Sequence, residues 1–594
     1  MIRRSQFDRV LAYVQDSGAA DYVETLMRPD GKGGRPRQIP FAVFFAAVIL
    51  AAEHKPTLTL VNVHKLLTND LARSYRLSLN IVTKRADGGT HTLTVRQVRY
   101  MLEALERKLA HTQGRAPDLT DGDRNSRQLA LQNIMDMLVG ATIPDHLPAP
   151  ASYALDGTAI ESWARGKKKR PVDPEADHAD DDRIESDAVE DGDSRRSFDL
   201  DAAWGYQTKT YDNRTNDCFG YHAFGLVGVP PAGADPDTWP KLVERLSVRP
   251  ANANAVEPSI AMVDSLLALD RPVTELLADR EFSYKKGTSW ALPLRERGIS
   301  QVIDMHEGDR GVRDYNGIAM IDGTPHCRAV LGDREDLIRI PRPASLSEGT
   351  LPANAGEDQK SAHAARVAEI EAFKVKIAER SVAAFRRVAG PDSTGEERWE
   401  CPAQAGKVIC ANCPVSLMLS KDRPVVAEPH TVPALPEPPV KPAKGASQEE
   451  RERYQDEKKK WDEDADFLRC CRQRTITIPG TVTPKLRQQH YWGSSSWIAS
   501  YSRRTHVEGA FGNLKSAKTT HVTRGWINVV GIVKTSLMLA AAAVATNIRL
   551  LRKWAERTGD RTHPLAATDP EHHGFEELDP NGNPALALAP PEAA

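Results

Sequence analysis

The sequence predicts a mixed α/β core, interrupted by a long insertion and preceded by an all-helical domain. Three observations carry this. Short apolar runs alternate with helical ones from Ser152 to Asp304; helical apolar periodicity fills residues 1–145; and the alternation lapses between His306 and Ser494 before helical patterns resume.

In the N-terminal part, Phe41–Glu53 and Leu60–Leu71 read as helices. So does Thr94–Leu109, where Val95, Val98, Met101, Leu102, Leu105 and Leu109 line one face. Arg35, Arg37, Arg96, Arg99, Arg107 and Lys108 flank these helices, as in a helix-turn-helix DNA-binding domain or on an ordinary solvated face. The first part of the core, residues 146–305, begins with strand Tyr153–Leu155, ending at Asp156, and continues with the longer strand Phe219–Val229. Helix Pro258–Leu269, strand Val273–Ala278 ending at Asp279, a helix near Trp290–Glu296 and strand Ser300–Asp304 follow. The insertion, 306–494, holds a long Ala/Glu/Lys/Arg helix (Ser361–Val388), a cysteine-bearing segment (Cys401–Leu419), a Pro-rich stretch (Arg423–Lys444) and a charged helix (Glu449–Phe467). Ser500–Leu514 and Gly531–Trp554 read as the closing helices of the core, residues 495–555, before a disordered tail at 556–594.

With 594 residues, 40% hydrophobic and 27% charged, the chain has the composition of an ordinary soluble multidomain protein. Its longest apolar runs, Phe41–Ala52 and Leu537–Ala545, fall short of the roughly 20 residues that span a bilayer. No apolar signal segment stands at the start, and seven cysteines, an odd count, fit a reducing compartment, so the expected location is the cytoplasm. The net charge of −2 conceals an asymmetry, with eleven acidic residues against Arg183 alone between Asp173 and Asp193, and eight against two from Glu556 onward. Removing these segments, −10 and −6, leaves the rest of the chain at +14, a charge suited to nucleic acid. The acidic loop, 171–198, is expected to be disordered and outside any metal site, because nothing apolar fixes its carboxylates. Lys167–Arg170 beside it is either a DNA contact or an exposed loop.

Asp156 and Asp279 both follow short apolar strands, at the sheet edge where α/β proteins build sites. Alone, each is more often a turn former. The informative segment is Tyr501–Lys515. On one continuous helix Tyr501, Arg504, Glu508 and Lys515 fall within an arc of about 60°, beside an apolar stripe of Val507, Phe511 and Leu514. Gly509 and Gly512 each cost about 1 kcal/mol inside a helix, and Gly512 would let another backbone approach the polar row. A solvated Glu/Lys helix edge is the plain alternative, and His506, on the far side of Glu508, reads as structural.

In type and spacing, Tyr501-x2-Arg504-x3-Glu508-x6-Lys515 resembles the Y-R-E-K signature of DDE transposases of bacterial insertion sequences. Leu155-Asp-Gly-Thr158 and Ala278-Asp-Arg280 resemble the surroundings of that family's first two acidic residues, so the resemblance covers about 145–305 and 490–550. It implies a ribonuclease-H-like core with catalytic, metal-binding Asp156, Asp279 and Glu508. Tyr501, Arg504 and Lys515 would bind DNA phosphates. The implied cofactor is two Mg²⁺ or Mn²⁺ ions, hard cations matched to carboxylate oxygens. The implied reaction is cleavage at terminal inverted repeats followed by strand transfer into target DNA, by a homodimer or larger synapse on double-stranded DNA. Such transposases often carry a β-rich insertion, whereas the insertion here reads as helical and Pro-rich. A ribonuclease-H-like nuclease without strand transfer, or a catalytically silent DNA-binding derivative, are the rival readings. Cys401, Cys410, Cys413 and Cys470 offer thiolates for a structural Zn²⁺, against the alternative of plain buried or surface thiols.

Overall fold

The computed structural model describes residues 2–28, 37–84, 88–166, 197–207, 216–235, 237–332, 334–392, 394–409, 439–463 and 475–567. Lys167–Arg170, the acidic tract Asp173–Asp193, Arg35, Cys410, Cys413 and Cys470 lie outside these residues. The chain is mixed α/β and divides into two compact units: Met1–Pro230, Ala234–Pro272 and Thr505–Ala594 form the first, Pro231–Gly233 and Val273–Arg504 the second.

In the first unit the N-terminal helices, the long antiparallel strands and the C-terminal helices share one body. Helix Phe41–His54 is apolar all round, and Phe41 through Ala52 are all buried, as expected of a helix packed on every side. It packs against Arg4–Asp16 and against Ile532–Thr558. The latter is long and apolar enough to meet the length test for a membrane span, yet 89% of its apolar window is buried within the protein, which makes it a core helix. Val95–Leu109 begins with a reciprocal capping box between Thr94 and Gln97 and buries Val98, Met101, Leu102, Leu105 and Leu109. The segment is not purely helical: Val82–Lys84 and Thr90–Thr92 pair as a small antiparallel hairpin. Arg96, Arg99, Arg107 and Lys108 are exposed, while Arg37 pairs with Glu24.

Three long strands follow, Ser152–Glu161, Asn216–Val229 and Val243–Pro250, the middle one paired antiparallel to both others. Ala203–Gln207 joins its starting end. Asn547, fully buried in the core helix, completes the ladder of the third strand. Its Oδ1 accepts from the Val243 N–H at 3.0 Å, and its Nδ2 donates to the Val243 carbonyl at 2.8 Å and to Thr142 Oγ1 at 2.7 Å. Glu556–Ala567, expected in the disordered tail, is instead ordered, because Leu565 and Ala566 are buried and His146 holds Asp560 at 2.9 Å.

Glu244 on the third strand is fully buried, and burial pushes its carboxyl up to about 7 against the opposing pull of Arg271 and Arg245. The folded state therefore binds more protons than the unfolded chain between the ordinary glutamate value of about 4.5 and about 7, so stability falls as pH rises through that window. Glu244→Gln, which cannot ionise, is expected to unfold at higher urea than the wild type at about pH 8, with a gain on the order of 3 kcal/mol, and to show little gain below about pH 4.5. Urea melts at both pH values check this; equal midpoints at the higher pH would contradict it.

In the second unit, strands Glu275–Ala278 and Ser300–Ile303 run parallel, joined through the 3₁₀ turn Arg280–Tyr284 and the short helix Ala291–Glu296. The side-chain amide of Gln488 pairs with the backbone N–H and C=O of Ile303, at 3.0 and 2.9 Å. The insertion holds both expected helices, at Glu357–Val382 and Gln448–Glu463, most of its Pro-rich stretch lies outside the described residues, and it adds two three-stranded antiparallel sheets that were not expected from the sequence. Val312–Tyr315, Ile318–Ile321 and Thr324–His326 make one, linked by Asn316-Gly317 and Asp322-Gly323 turns with positive φ at all four residues. Arg386–Ala389, Glu397–Glu400 and Thr475–Ile478 make the other. The long helix is found at Glu357–Val382 and stops before Val388 because Arg386 enters that second sheet. Its Arg380 is fully buried and pairs with Asp322 at 2.7 Å, tying helix to first sheet.

Candidate functional site

The sequence-predicted residues fall into two groups, one per unit. Asp156 does not end its strand. It is the fifth residue of the ten in Ser152–Glu161, whose pairing runs past it through Thr158↔Ala223 and Ile160↔Tyr221. Its cross-strand partner is Gly225, and residues paired in this way project from the same face of the sheet. On that face Phe511 rests against Gly225, close enough that an added Cβ would stand 3.0 Å from the ring. Helix Thr505–Lys515 therefore lies over the face that bears Asp156. Val507, Ala510, Phe511 and Leu514 dock it, burying the stripe expected from the sequence.

Glu508 is exposed in the first turn of this helix, one turn before Phe511. A carboxylate there also meets the favourable N-terminal end of the helix dipole. Lys515 closes the last turn; burial holds its ammonium below the usual value, while Cys218, Glu161 and Asp156 pull it upward. Asp156 and Lys515 thus share one electrostatic environment. Asp156 Oδ1 accepts from the Gly157 N–H at 2.8 Å. No atom lies within 4 Å of where a Cβ would stand at Gly509 or Gly512, so their cost is not repaid by packing among the described residues.

The single helix expected over Ser500–Leu514 is in fact two. Ser495–Ser502 ends in a tightened turn, with Arg503 N–H bonded to the Ser500 carbonyl and Arg504 N–H to that of Tyr501, before Thr505–Lys515 starts anew. At the break Arg503 is buried and drawn inward to Glu275, which Ser500 Oγ also reaches at 2.8 Å and His490 at 3.5 Å. Tyr501 and Arg504 therefore do not continue the face of Glu508 and Lys515.

In the second unit Asp279 directly follows strand Glu275–Ala278 and caps the 3₁₀ turn, its Oδ1 accepting from the Glu281 N–H at 2.8 Å. Burial raises its carboxyl, and repulsion by Glu281 adds to this; Arg504 and Lys285 oppose. Tyr501 stacks on Trp497, centroids 4.8 Å apart and planes within 8°, and the Arg504 guanidinium lies 5.5 Å from its ring. Burial raises the Tyr501 hydroxyl, in a field that includes Arg504, Asp304, Arg342 and Asp279, so it remains an O–H donor at neutral pH.

Asp304, Arg280 and Arg342 were not nominated from the sequence. Asp304 follows strand Ser300–Ile303 as Asp279 follows its own strand, and the same strand-end rule would have selected it. Its buried Oδ2 lies 3.1 Å from Arg280 Nη2 and 2.8 Å from Arg342 Nε, so one carboxylate aligns two guanidinium groups near Tyr501. Of the four proposed zinc ligands only Cys401 is described; it is buried in an apolar cluster with Cys327, Trp399 and Ile476.

Among the described residues no three His, Cys, Asp or Glu side chains stand together as a ready metal cluster. The three predicted ligands are divided, Asp156 and Glu508 in the first unit and Asp279 in the second. Their donor set, carboxylate oxygen throughout with no thiolate or imidazole, is nevertheless the chemistry that Mg²⁺ and Mn²⁺ prefer. Compared with family models, curated proteins and solved structures, the chain matches none.

Proposed function

We propose that the protein is a DNA transposase of the DDE type, with a ribonuclease-H-like core, that cleaves DNA at terminal inverted repeats and transfers the freed strand into target DNA. The observation that carries this is the placement of Glu508: it sits in the first turn of a helix docked, through Phe511 on Gly225, over the sheet face that bears Asp156. The Y-R-E-K spacing gives the same residue its role, and Asp279 after its strand supplies the third carboxylate. The two three-stranded sheets in the insertion lessen the departure from the resemblance, though helices still make up more of its described residues than strands.

On this reading Asp156, Asp279 and Glu508 are the residues that would hold Mg²⁺ or Mn²⁺, and the cations would supply activation of a water or 3′-hydroxyl and stabilisation of the leaving oxygen. The other residues position DNA. Lys515 gives a cation to a phosphate near Asp156, and the Tyr501 hydroxyl and Arg504 guanidinium give directed donors to another. The stack of Tyr501 on Trp497 holds that donor pair rigid. The bare outer side of Gly509 and Gly512 leaves the helix open to a DNA backbone.

The test is incubation of the full chain with supercoiled plasmid carrying the DNA that flanks its gene, with Mg²⁺, Mn²⁺ or EDTA. Cation-dependent breaks at the flanking ends, with joined products, are the expected result. Breaks without joining would replace the proposal with a nuclease, and no breaks with either cation would overturn it.

A further inference from the structure

A second basic feature lies apart from the carboxylates, where the chain leaves helix Thr505–Lys515 and meets the end of core helix Ile532–Thr558. A cavity of about 250 Å³ opens there, lined by Lys518, Arg549, Arg552 and Lys553 together with Asn513 and Thr519. Four of its lining residues are cationic and none is acidic. Arg552 is also engaged by Glu53, which is not among the lining residues.

The walls are held by specific bonds. Thr519 Oγ1 donates to the Asn513 carbonyl and the Lys518 N–H to Ser516 Oγ at 3.2 Å, which fixes the turn that presents Lys518. Arg549 Nη1 donates to Thr520 Oγ1 at 3.0 Å, and its Nη2 reaches the Glu53 carbonyl at 2.5 Å at the end of helix Phe41–His54. Arg549, Arg552 and Lys553 recur at helical spacing, so they fall on one side of a helix otherwise buried from Ile532 to Ile548. Lys518 and Lys553 are exposed, with their ammonium groups available to a ligand.

We propose that this cavity is a phosphate subsite that grips the backbone of the DNA duplex beyond the cleavage site. The ligand class follows from the lining: four cationic side chains, no aromatic platform for a base and no acid to accept a donor, which recognises a phosphate and not a nucleobase. Its place follows from the chain, since Lys518 lies three residues beyond Lys515, in the turn that follows helix Thr505–Lys515. The inference rests on the DNA reading above and adds to it a contact that holds DNA without taking part in cleavage.

The test combines lysine acetylation of the intact wild-type protein with a charge-removal variant. Duplex DNA is expected to protect Lys518 and Lys553 from acetylation, while Lys360 on helix Glu357–Val382 keeps its reactivity. Inorganic phosphate at the same phosphate concentration is expected to protect them far less. The Lys518→Gln, Lys553→Gln double variant is expected to keep its melting temperature and lose about one to two from the slope of log affinity against log salt. If the wild type binds DNA with steep salt dependence but both lysines stay reactive and the variant keeps its slope, the subsite is overturned and the DNA reading stands. If inorganic phosphate protects and DNA does not, the site belongs to a free anion and the inference fails. If the wild type binds no DNA, both readings fall.

Discussion

Glu508→Gln is expected to lower metal-dependent DNA cleavage by about a hundredfold or more while leaving DNA affinity nearly unchanged. The amide keeps the size and helical position of the exposed side chain, and the favourable meeting of a carboxylate with a helix start that it gives up is worth about 0.3–1 kcal/mol. What is lost is an anionic oxygen donor. Lys515→Ala should show the opposite pattern, with weaker DNA binding and a salt slope reduced by about one. Cleavage kinetics beside binding isotherms separate the two. Cleavage that survives Glu508→Gln would make this residue a helix-terminal charge and nothing more.

The neighbouring arginines are expected to behave differently from each other. Arg503→Ala leaves Glu275 buried with its principal ion partner removed, a change that costs about 3–5 kcal/mol when one member of a buried pair is deleted. Ser500 and His490 compensate only in part, since one is a neutral hydroxyl and the other lies 3.5 Å away. Arg504→Ala removes a half-buried guanidinium resting on the Tyr501 ring. Its stability cost should be small, about 0.5–1 kcal/mol for an exposed cation–π contact, and its effect should fall on DNA binding. Denaturant melts and binding assays on both variants decide. Equal stability losses would remove the distinction drawn between an anchoring Arg503 and a DNA-facing Arg504.

What the sequence revealed and what it concealed have separable physical causes. Helices with one-sided periodicity, such as Val95–Leu109, were legible with their ends, because a Thr/Gln capping box marks the start. The docking stripe of Val507, Phe511 and Leu514 was legible for the same reason. The break between Ser502 and Thr505 was not: helical spacing continues smoothly through it, and the interruption coincides with the long-range pairing of Arg503 with Glu275. Asp156 reads as a strand terminus because the apolar run Tyr153–Leu155 gives way to Asp156-Gly157-Thr158, yet all three stay in the strand, where a Cβ at Gly157 would press on Phe224 at 3.0 Å. The first insertion sheet could have been found. Tyr315-Asn-Gly-Ile318 and Ile321-Asp-Gly-Thr324 are two-residue hairpin signals on either side of an apolar strand. The second sheet could not, since Thr475–Ile478 pairs with Glu397–Glu400 across more than seventy residues.

The central claim is that Asp156, Asp279 and Glu508 are the ligands of the catalytic cations. Loading the protein with Fe²⁺ in place of Mg²⁺, in the presence of DNA, and adding ascorbate and peroxide tests it, because hydroxyl radicals cut the backbone only close to the bound iron. The account predicts cuts clustered at residues 156, 279 and 508, suppressed by excess Mg²⁺ and absent from Glu508→Gln. Cuts that omit 279, or that persist unchanged in Glu508→Gln, would contradict it.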